Sequence, residues 1–386
     1  MNDNLNYSIE FINDSLGKLN PTLVQVLKIK FSLFNKYVSA KLILNDIGES
    51  IFNQIKIGKQ LNLNLRDSET QEIYTFKLSI INFNKIPSLN GNQYVEQIDI
   101  DLVSSWYFVN TVKTKAYNKN VVDIICDMFS TDFKDYQNIF EYTSGDSKSE
   151  ISTRYQINES DQKFIDKILK FGTIQNSPIY LYSDTDGKIK LHGFNEFSNL
   201  STYNFYPMLN SNVQDGKTVT LKDDRLNNIP LKAYSIGGNV SDSASNINYI
   251  CQSIPFSYMS NIVVESSINS TETNNVQSTN VNRTEYVYSD ILDTPNDSNS
   301  KFIKYSTEKA LNTFMLNGTI EGFKLKALSI GNKFKLSLPY EEVTNNATNK
   351  KVVAGDGAYI VTTSEFTYQG GMLHNSTFVA VQTNYN

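Results

Sequence analysis

Histidine, cysteine and tryptophan are nearly missing from this chain, with two, two and one residues respectively among 386. His192 and His374 lie far apart, each at or beside a strand or turn. Neither brings carboxylate or cysteine companions at ligand spacing, so both read as structural rather than as metal ligands or acid/base groups. Two cysteines cannot make a disulfide framework, and Cys126, inside the apolar run Val121 to Phe129, reads as a small buried thiol. Charge is also scarce: only 19% of residues are Asp, Glu, Lys or Arg, with a net charge of -5. A nucleic-acid binder needs a basic face to displace counterions, and this composition does not supply one overall, although local basic patches remain compatible with it. No window approaches ~18 uninterrupted apolar residues, so no membrane span is expected. The start, Met1 to Asn6, is neither basic nor apolar, and no signal peptide is expected.

The familiar catalytic and binding signatures are missing as well. Asp184-Thr185-Asp186-Gly187 resembles a calcium loop only superficially, because Lys188 and Ile189 occupy the fifth and sixth positions. A hairpin turn explains it. Gly237-Gly238 and Gly355-Asp356-Gly357 lack a following Lys-Ser/Thr or a helix start, and read as turns rather than phosphate cradles. There is no Gly-x-Ser-x-Gly elbow, and no sequence-local pair of carboxylates marks a glycosidase. The expectation is no catalytic residue, no cofactor and no metal site, hence not an enzyme. Trp106, the lone tryptophan, lies in a strand-like stretch and should be buried.

What is present is 40% apolar and 12% aromatic residues, with polarity carried mainly by Asn, Ser, Thr, Gln and Tyr. That is enough surface to bury for a globular chain of two to four domains. The first ~110 residues read as successive strands at 24–31, 41–44, 60–65, 73–80 and 95–102. Their one wet face describes an antiparallel sheet curling into a sandwich or barrel, with Leu61, Leu63, Leu65, Ile98, Ile100 and Leu102 inside. Helical spacing first appears at Val121, Ile124, Ile125 and Met128. A second helix follows from Asn158 or Ser160, one of which should cap it. Phe164, Ile165, Ile168 and Leu169 form its buried stripe, and Gly172 suits a left-handed C-terminal position. A hairpin over 179–191 completes an α/β unit. Strands return at 218–221 and 231–236. A polar stretch from 239 to about 300 should hold long loops and a few strands. A third helix is expected over 307–315, ending near Gly318. Strands at 319–325, 333–338, 359–367 and 376–382 close the chain.

The order of elements carries the functional signal. The stretch Arg154-Tyr155-Gln156-Ile157-Asn158-Glu159-Ser160-Asp161 with its following helix resembles the "tyrosine, glutamine, x, x, glutamate, serine, aspartate, then helix" segment of the baseplate hubs of contractile-tailed phages. Relatives of those hubs form the N-terminal part of type VI secretion (VgrG-like) spike proteins. The passage from Leu102-Val103-Ser104-Ser105-Trp106-Tyr107 into Tyr117 to Phe133 is similar to the exit from the first hub barrel. The strands around 331–336, 359–362 and 378–381 look like the close of the second. The chain has no spike β-helix, so a spike would be a separate protein.

The resemblance implies a mainly β fold with α/β insertions, in which two similar antiparallel, tail-tube-like barrels flank an α/β domain. Residues 1–112 would form the first barrel and 113–204 the α/β domain, with helices near 118–130 and 160–171. Residues 205–240 and 318–386 would form the second barrel, and 241–317 a polar insertion with a helix near 307–316. It further implies a homotrimeric, pseudo-six-fold hub in the virion. Such a hub adapts a hexameric tail tube to a trimeric central spike, contacts other baseplate proteins, and lets DNA pass its lumen without specific binding. The chain would be made in the bacterial host cytoplasm. Two other readings differ in class: a tail-associated enzyme degrading cell wall or polysaccharide, which needs two convergent carboxylates, and a carbohydrate-binding adhesin, which needs exposed aromatic platforms. The residues of the partner interfaces are not marked in the sequence.

Overall fold

The computed structural model describes residues 6–12, 16–46, 51–90, 93–142, 151–174, 177–198, 200–208, 217–218, 227–238, 246–253, 266–273, 276–289, 314–338, 340–341, 357–370 and 373–382. The first six strands are β1 (Tyr7–Phe11), β2 (Val24–Ser32), β3 (Asn35–Asn45), β4 (Gln60–Arg66), β5 (Ile73–Asn90) and β6 (Gln93–Ser104). They lie side by side in the order β1-β4-β5-β6-β3-β2, every pair antiparallel. The period-two pattern explains the layering: in β4 the leucines alternate with Gln60, Asn62, Asn64 and Arg66, so one face is wholly apolar. All six residues expected inside are buried there. The sequence reading begins its strands at Val24 and so misses β1, whose Tyr7, Ile9 and Phe11 are buried in alternation with Ser8 and Glu10.

The α/β unit comprises β7 (Val112–Lys119), α1 (Val121–Thr131), β8 (Phe140–Tyr142), β9 (Ser152–Ser160), α2 (Asp161–Ile168), β10 (Thr173–Ile174), β11 (Ser177–Ser183) and β12 (Ile189–Gly193). Its helices cover a sheet of order β10-β11-β12-β8, and the two share a core around Trp106, Phe129, Phe133 and Phe164. Asn120 caps α1 by accepting from the Asp123 amide at 2.8 Å. Ser160, not Asn158, caps α2 by accepting from the Lys163 amide at 3.4 Å. Gly172 departs from expectation. It is extended, with φ -79° and ψ 129°, after a 3-10 turn over Leu169–Phe171. Space, not handedness, demands glycine there, because a Cβ would lie 2.0 Å from Ile179 Cδ1.

The remaining strands are β13 (Leu200–Pro207), β14 (Lys217–Thr218), β15 (Asn227–Leu231), β16 (Ala233–Gly238), β17 (Asn246–Ser253), β18 (Ser266–Thr273), β19 (Val276–Ser289), β20 (Phe314–Glu321), β21 (Lys333–Leu336), β22 (Tyr340–Glu341), β23 (Gly357–Gln369) and β24 (Leu373–Gln382). A second ladder runs β13-β21-β23-β24-β20-β16. The stretch expected as one strand over 231–236 bends at Lys232, whose amide donates to Thr319 O at 2.8 Å. Its two halves pair with opposite ends of the ladder: β15 lies parallel to β13, while β16 lies antiparallel to β20. The ladder therefore returns to its first strand. Gly237 and Gly238 stand within β16, opposite Met315 and Phe314, and are not a turn.

Two expectations downstream fail for one reason, tertiary pairing overriding local preference. The helix near 307–316 does not reach its end: Phe314, Met315 and Leu316 open β20, which is paired on both sides. Residues 307–313 lie outside the described residues. Gly318, expected beyond a helix end, is mid-strand, where a Cβ would sit 2.3 Å from the Phe378 ring. Strand structure also stops at Glu321 rather than 325. Gly322, at φ 76°, begins a turn-rich segment to Asn332 in which Phe323, Leu325, Ala327, Leu328 and Ile330 are buried.

The two ladders do not stand apart on either side of the α/β unit. β2 pairs antiparallel with the C-terminal half of β23, from Val26 opposite Gln369 to Ser32 opposite Thr363. The N-terminal half of β23 pairs instead with β21. One 13-stranded sheet and one continuous apolar core thus span both regions. Within the polar insertion, β17, β19 and β18 form a separate three-stranded sheet in that order. Among the described residues, no helix is long and apolar enough to cross a membrane.

Candidate functional site

The two histidines fall on different elements. His192, on β12, places Nδ1 3.1 Å from the Tyr182 hydroxyl. Burial pulls its pKa down, against the carboxylate of Glu196. His374, on β24, lies between the rings of Phe323 and Tyr368, where burial likewise lowers its pKa. No group of three or more His, Cys, Asp or Glu is arranged to hold a metal among the described residues. Cys126 is only half-buried, and burial followed by Asp123 and Asp127 pushes its thiol up to about 12, so it is not a reactive thiolate. The side chain of Cys251 lies outside what is described.

Three sets of buried polar groups tie the regions together as clamps. In the first, the start of β3 reaches α2. The Lys36 ammonium donates to Gln162 O at 2.9 Å and Asp166 Oδ1 at 2.5 Å, and the Tyr37 hydroxyl donates to Gln162 Oε1. Gln162 Nε2 in turn donates to Trp106 O and Val109 O. Burial lowers the Lys36 pKa, and Asp166 only partly offsets this.

The second clamp is Asp184, 1% exposed at the β11–β12 turn. It accepts from the amides of Thr185 and Ile330 at 2.7 and 2.8 Å, from Ser329 Oγ at 2.6 Å and from Lys190 Nζ at 2.7 Å. The turn is thus the expected hairpin, and its first carboxylate holds the 325–332 segment. The third is Asp67 at the β4–β5 turn, also 1% exposed. It accepts from the amides of Glu69, Thr70 and Lys326, while Ser68 Oγ accepts from Phe323 N. Buried carboxylates satisfied by several donors are costly to disturb, so these turns fix the regions against one another.

The same logic explains the stretch that carried the family resemblance. Gln156 is fully buried and donates to Glu159 O and Asp161 Oδ1, both at 2.9 Å, and Asp161 also pairs with Lys113 at 2.9 Å. Ser160 is the cap, and Tyr155 faces outward. Asp67 and Gln162 were not singled out by the sequence, and Asp184 only as the first residue of a hairpin turn. For Asp67, the run Asp67-Ser68-Glu69-Thr70 was a readable turn signal. The partners 126 to 259 residues away left no local trace.

β7 and β9 form an antiparallel ribbon. Its inner face holds Tyr117 and Gln156, whereas Val112, Tyr155 and Ile157 are 60, 56 and 65% exposed. Trp106, expected to be buried, is buried, so it is no adhesin platform.

No family model and no curated protein matches the chain. Solved structures do. The 43 kDa tail protein of prophage MuSo2 from Shewanella oneidensis matches at 10% identity and a TM-score of 0.61, with 98% of each chain covered. A tail protein from Neisseria meningitidis MC58 matches at 10% identity and a TM-score of 0.58, covering 97% of this chain and 96% of that one. An Escherichia coli component of the type VI secretion system, described as structurally similar to the T4 tail proteins gp27 and gp5, matches at 11% identity and a TM-score of 0.51, covering 97% and 77%. The clamped, mainly β chain therefore has the fold of phage tail proteins and of a type VI secretion component, the family that the 154–161 stretch and its following helix resemble.

Proposed function

We propose that this protein is a non-enzymatic baseplate hub of a phage tail, a homotrimer that joins a hexameric tail tube to a trimeric central spike. One observation carries the reading: the two ladders repeat one strand order. Numbered along the chain within each region, the first reads one-four-five-six-three-two. The second, with β15 and β16 taken as its bent second strand, reads the same. They differ at the first strand: β1 is antiparallel to β4 whereas β13 is parallel to β21, and β13 also pairs with β15 whereas β2 pairs onward with β23 rather than with β1. Three chains with two such units each would offer a six-fold tube six comparable docking surfaces, while retaining true three-fold symmetry for the spike. In this reading residues 1–112 form the first barrel unit, and 205–240 with 318–386 form the second, around the polar insertion at 241–317. In sequence, the α/β unit at 113–204 lies between them.

In this reading the clamps make the chain a rigid spacer, which suits a part that transmits position rather than performs chemistry. The weakly charged, net negative composition suits a lumen that DNA traverses without binding. The protein would reside in the virion after synthesis in the bacterial host cytoplasm, alongside other baseplate proteins. Light scattering on the purified chain should give three times the 43.8 kDa monomer mass. Electron microscopy of the particle should show a six-lobed ring. A monomer at all concentrations, or a ring of unrelated lobes, overturns the hub.

A further inference from the structure

Beside the Asp184 clamp lies a cavity of about 500 Å³, bounded by the β11–β12 hairpin, β5, β13 and the 326–332 segment. Tyr74, Tyr182, Phe197 and Tyr203 are among its lining residues. Negative charge is in excess around them. Asp184, Asp186 and Glu196 line the cavity together with Lys190 and Lys326. Lys190 is already held 2.7 Å from both Asp184 and Asp186. On the β5 side, the Tyr74 hydroxyl donates to Glu72. The Tyr203 hydroxyl is pushed up to about 12 by burial and then by Glu69, Asp67 and Glu72. Lys324 lies 3.7 Å from Glu69, so the lining itself carries three carboxylates against two lysines, with Asp67, Glu69 and Glu72 behind it.

From this geometry we infer that the cavity is a socket for an arginine side chain presented by a partner polypeptide. Aromatic faces attract a planar cation, and a guanidinium is weakly hydrated and can fork between carboxylate oxygens. Ammonium ions lack the plane and the fork, so lysine should fit less well. A neutral sugar would gain from the rings but leave the excess charge uncompensated. An anionic ligand is repelled. The socket lies at the meeting point of two clamped turns, so its walls are held before the partner arrives and little ordering remains to be done on binding. The inference concerns the folded chain itself and holds whether or not the chain is a hub.

The test is calorimetric titration of the full-length protein with four probes: acetyl-Gly-Arg-Gly-amide, the lysine and glutamate analogues of that peptide, and methyl glucoside. Saturable binding of the arginine peptide is expected, tighter than that of the lysine peptide and weakened by salt. Glu196→Gln should weaken it by about tenfold. Lys326→Gln, at an exposed residue, should tighten it, and serves as the independent check if the first variant folds poorly. Binding of glucoside with none of the arginine peptide would make the cavity a sugar site and overturn the inference. So would arginine binding unaffected by both substitutions, or no binding by any probe.

Discussion

Replacing Asp184 with alanine is the sharpest probe of how the regions are held. The carboxylate serves four donors, and two of them, the Thr185 and Ile330 amides, belong to residues 1% and 3% exposed. Each buried N–H left without an acceptor costs about 1–3 kcal/mol. Lys190, whose side chain is 14% exposed, keeps Asp186 at 2.7 Å, so it is not stranded entirely. The total loss should be about 3–5 kcal/mol, the range for breaking one side of a buried charge network. Asp186→Ala is the control: that side chain is 29% exposed, and Lys190 retains Asp184. Its cost should be about 1 kcal/mol. Urea denaturation followed by tyrosine fluorescence and circular dichroism measures both. Equal losses for the two variants would refute the assignment of Asp184 as the fastener of the 325–332 segment.

The same pair gives a pH signature. Burial lowers the Lys190 pKa, but Asp184 and Asp186 outweigh it and the net shift is upward. A raised folded pKa stabilises fully below the unfolded value of about 10.4, and the contribution is lost as pH climbs through the folded value. Urea midpoints should accordingly fall in alkali for the wild type, and by less in Asp184→Ala. Phe164, fully buried and 5.2 Å from the Tyr117 ring, should cost roughly 3–5 kcal/mol on truncation to alanine, while Lys163→Ala costs little. Identical melting temperatures would put the α2 stripe on the wrong face. Gly172→Ala drives a methyl into Ile179 and should cost about 1–3 kcal/mol. A neutral result would mean that β11 can retreat.

Much of the architecture was legible because strands and helices advertise their buried faces. Leu61, Leu63 and Leu65 alternate with polar residues, and Val121, Ile124, Ile125 and Met128 repeat at helical spacing. Both patterns follow from one element meeting one core. The failures fell where a segment's fate is decided by distant neighbours. Phe314 to Leu316 became strand because β16 and β24 flank it. The 322–332 segment reads as apolar sequence, yet it is a loop pinned by Asp67 and Asp184. Gly172 reads as a helix stop, and what it provides is room for Ile179. Of the arginine socket, only the Asp184-Thr185-Asp186-Gly187 turn and His192 caught the eye. Tyr74, Tyr203 and Lys326 join it through tertiary folding alone.

The strand that β23 lends to both ladders also sets an order on synthesis. Until residues 363–369 leave the ribosome, the outer edge of β2 has no partner, and an unpaired edge invites the wrong chain. Lys28 and Lys30 lie on that edge strand, and Lys28 is later drawn to Glu365 at 3.9 Å. Before then like charges on that edge would disfavour pairing with the same edge of a neighbouring nascent copy.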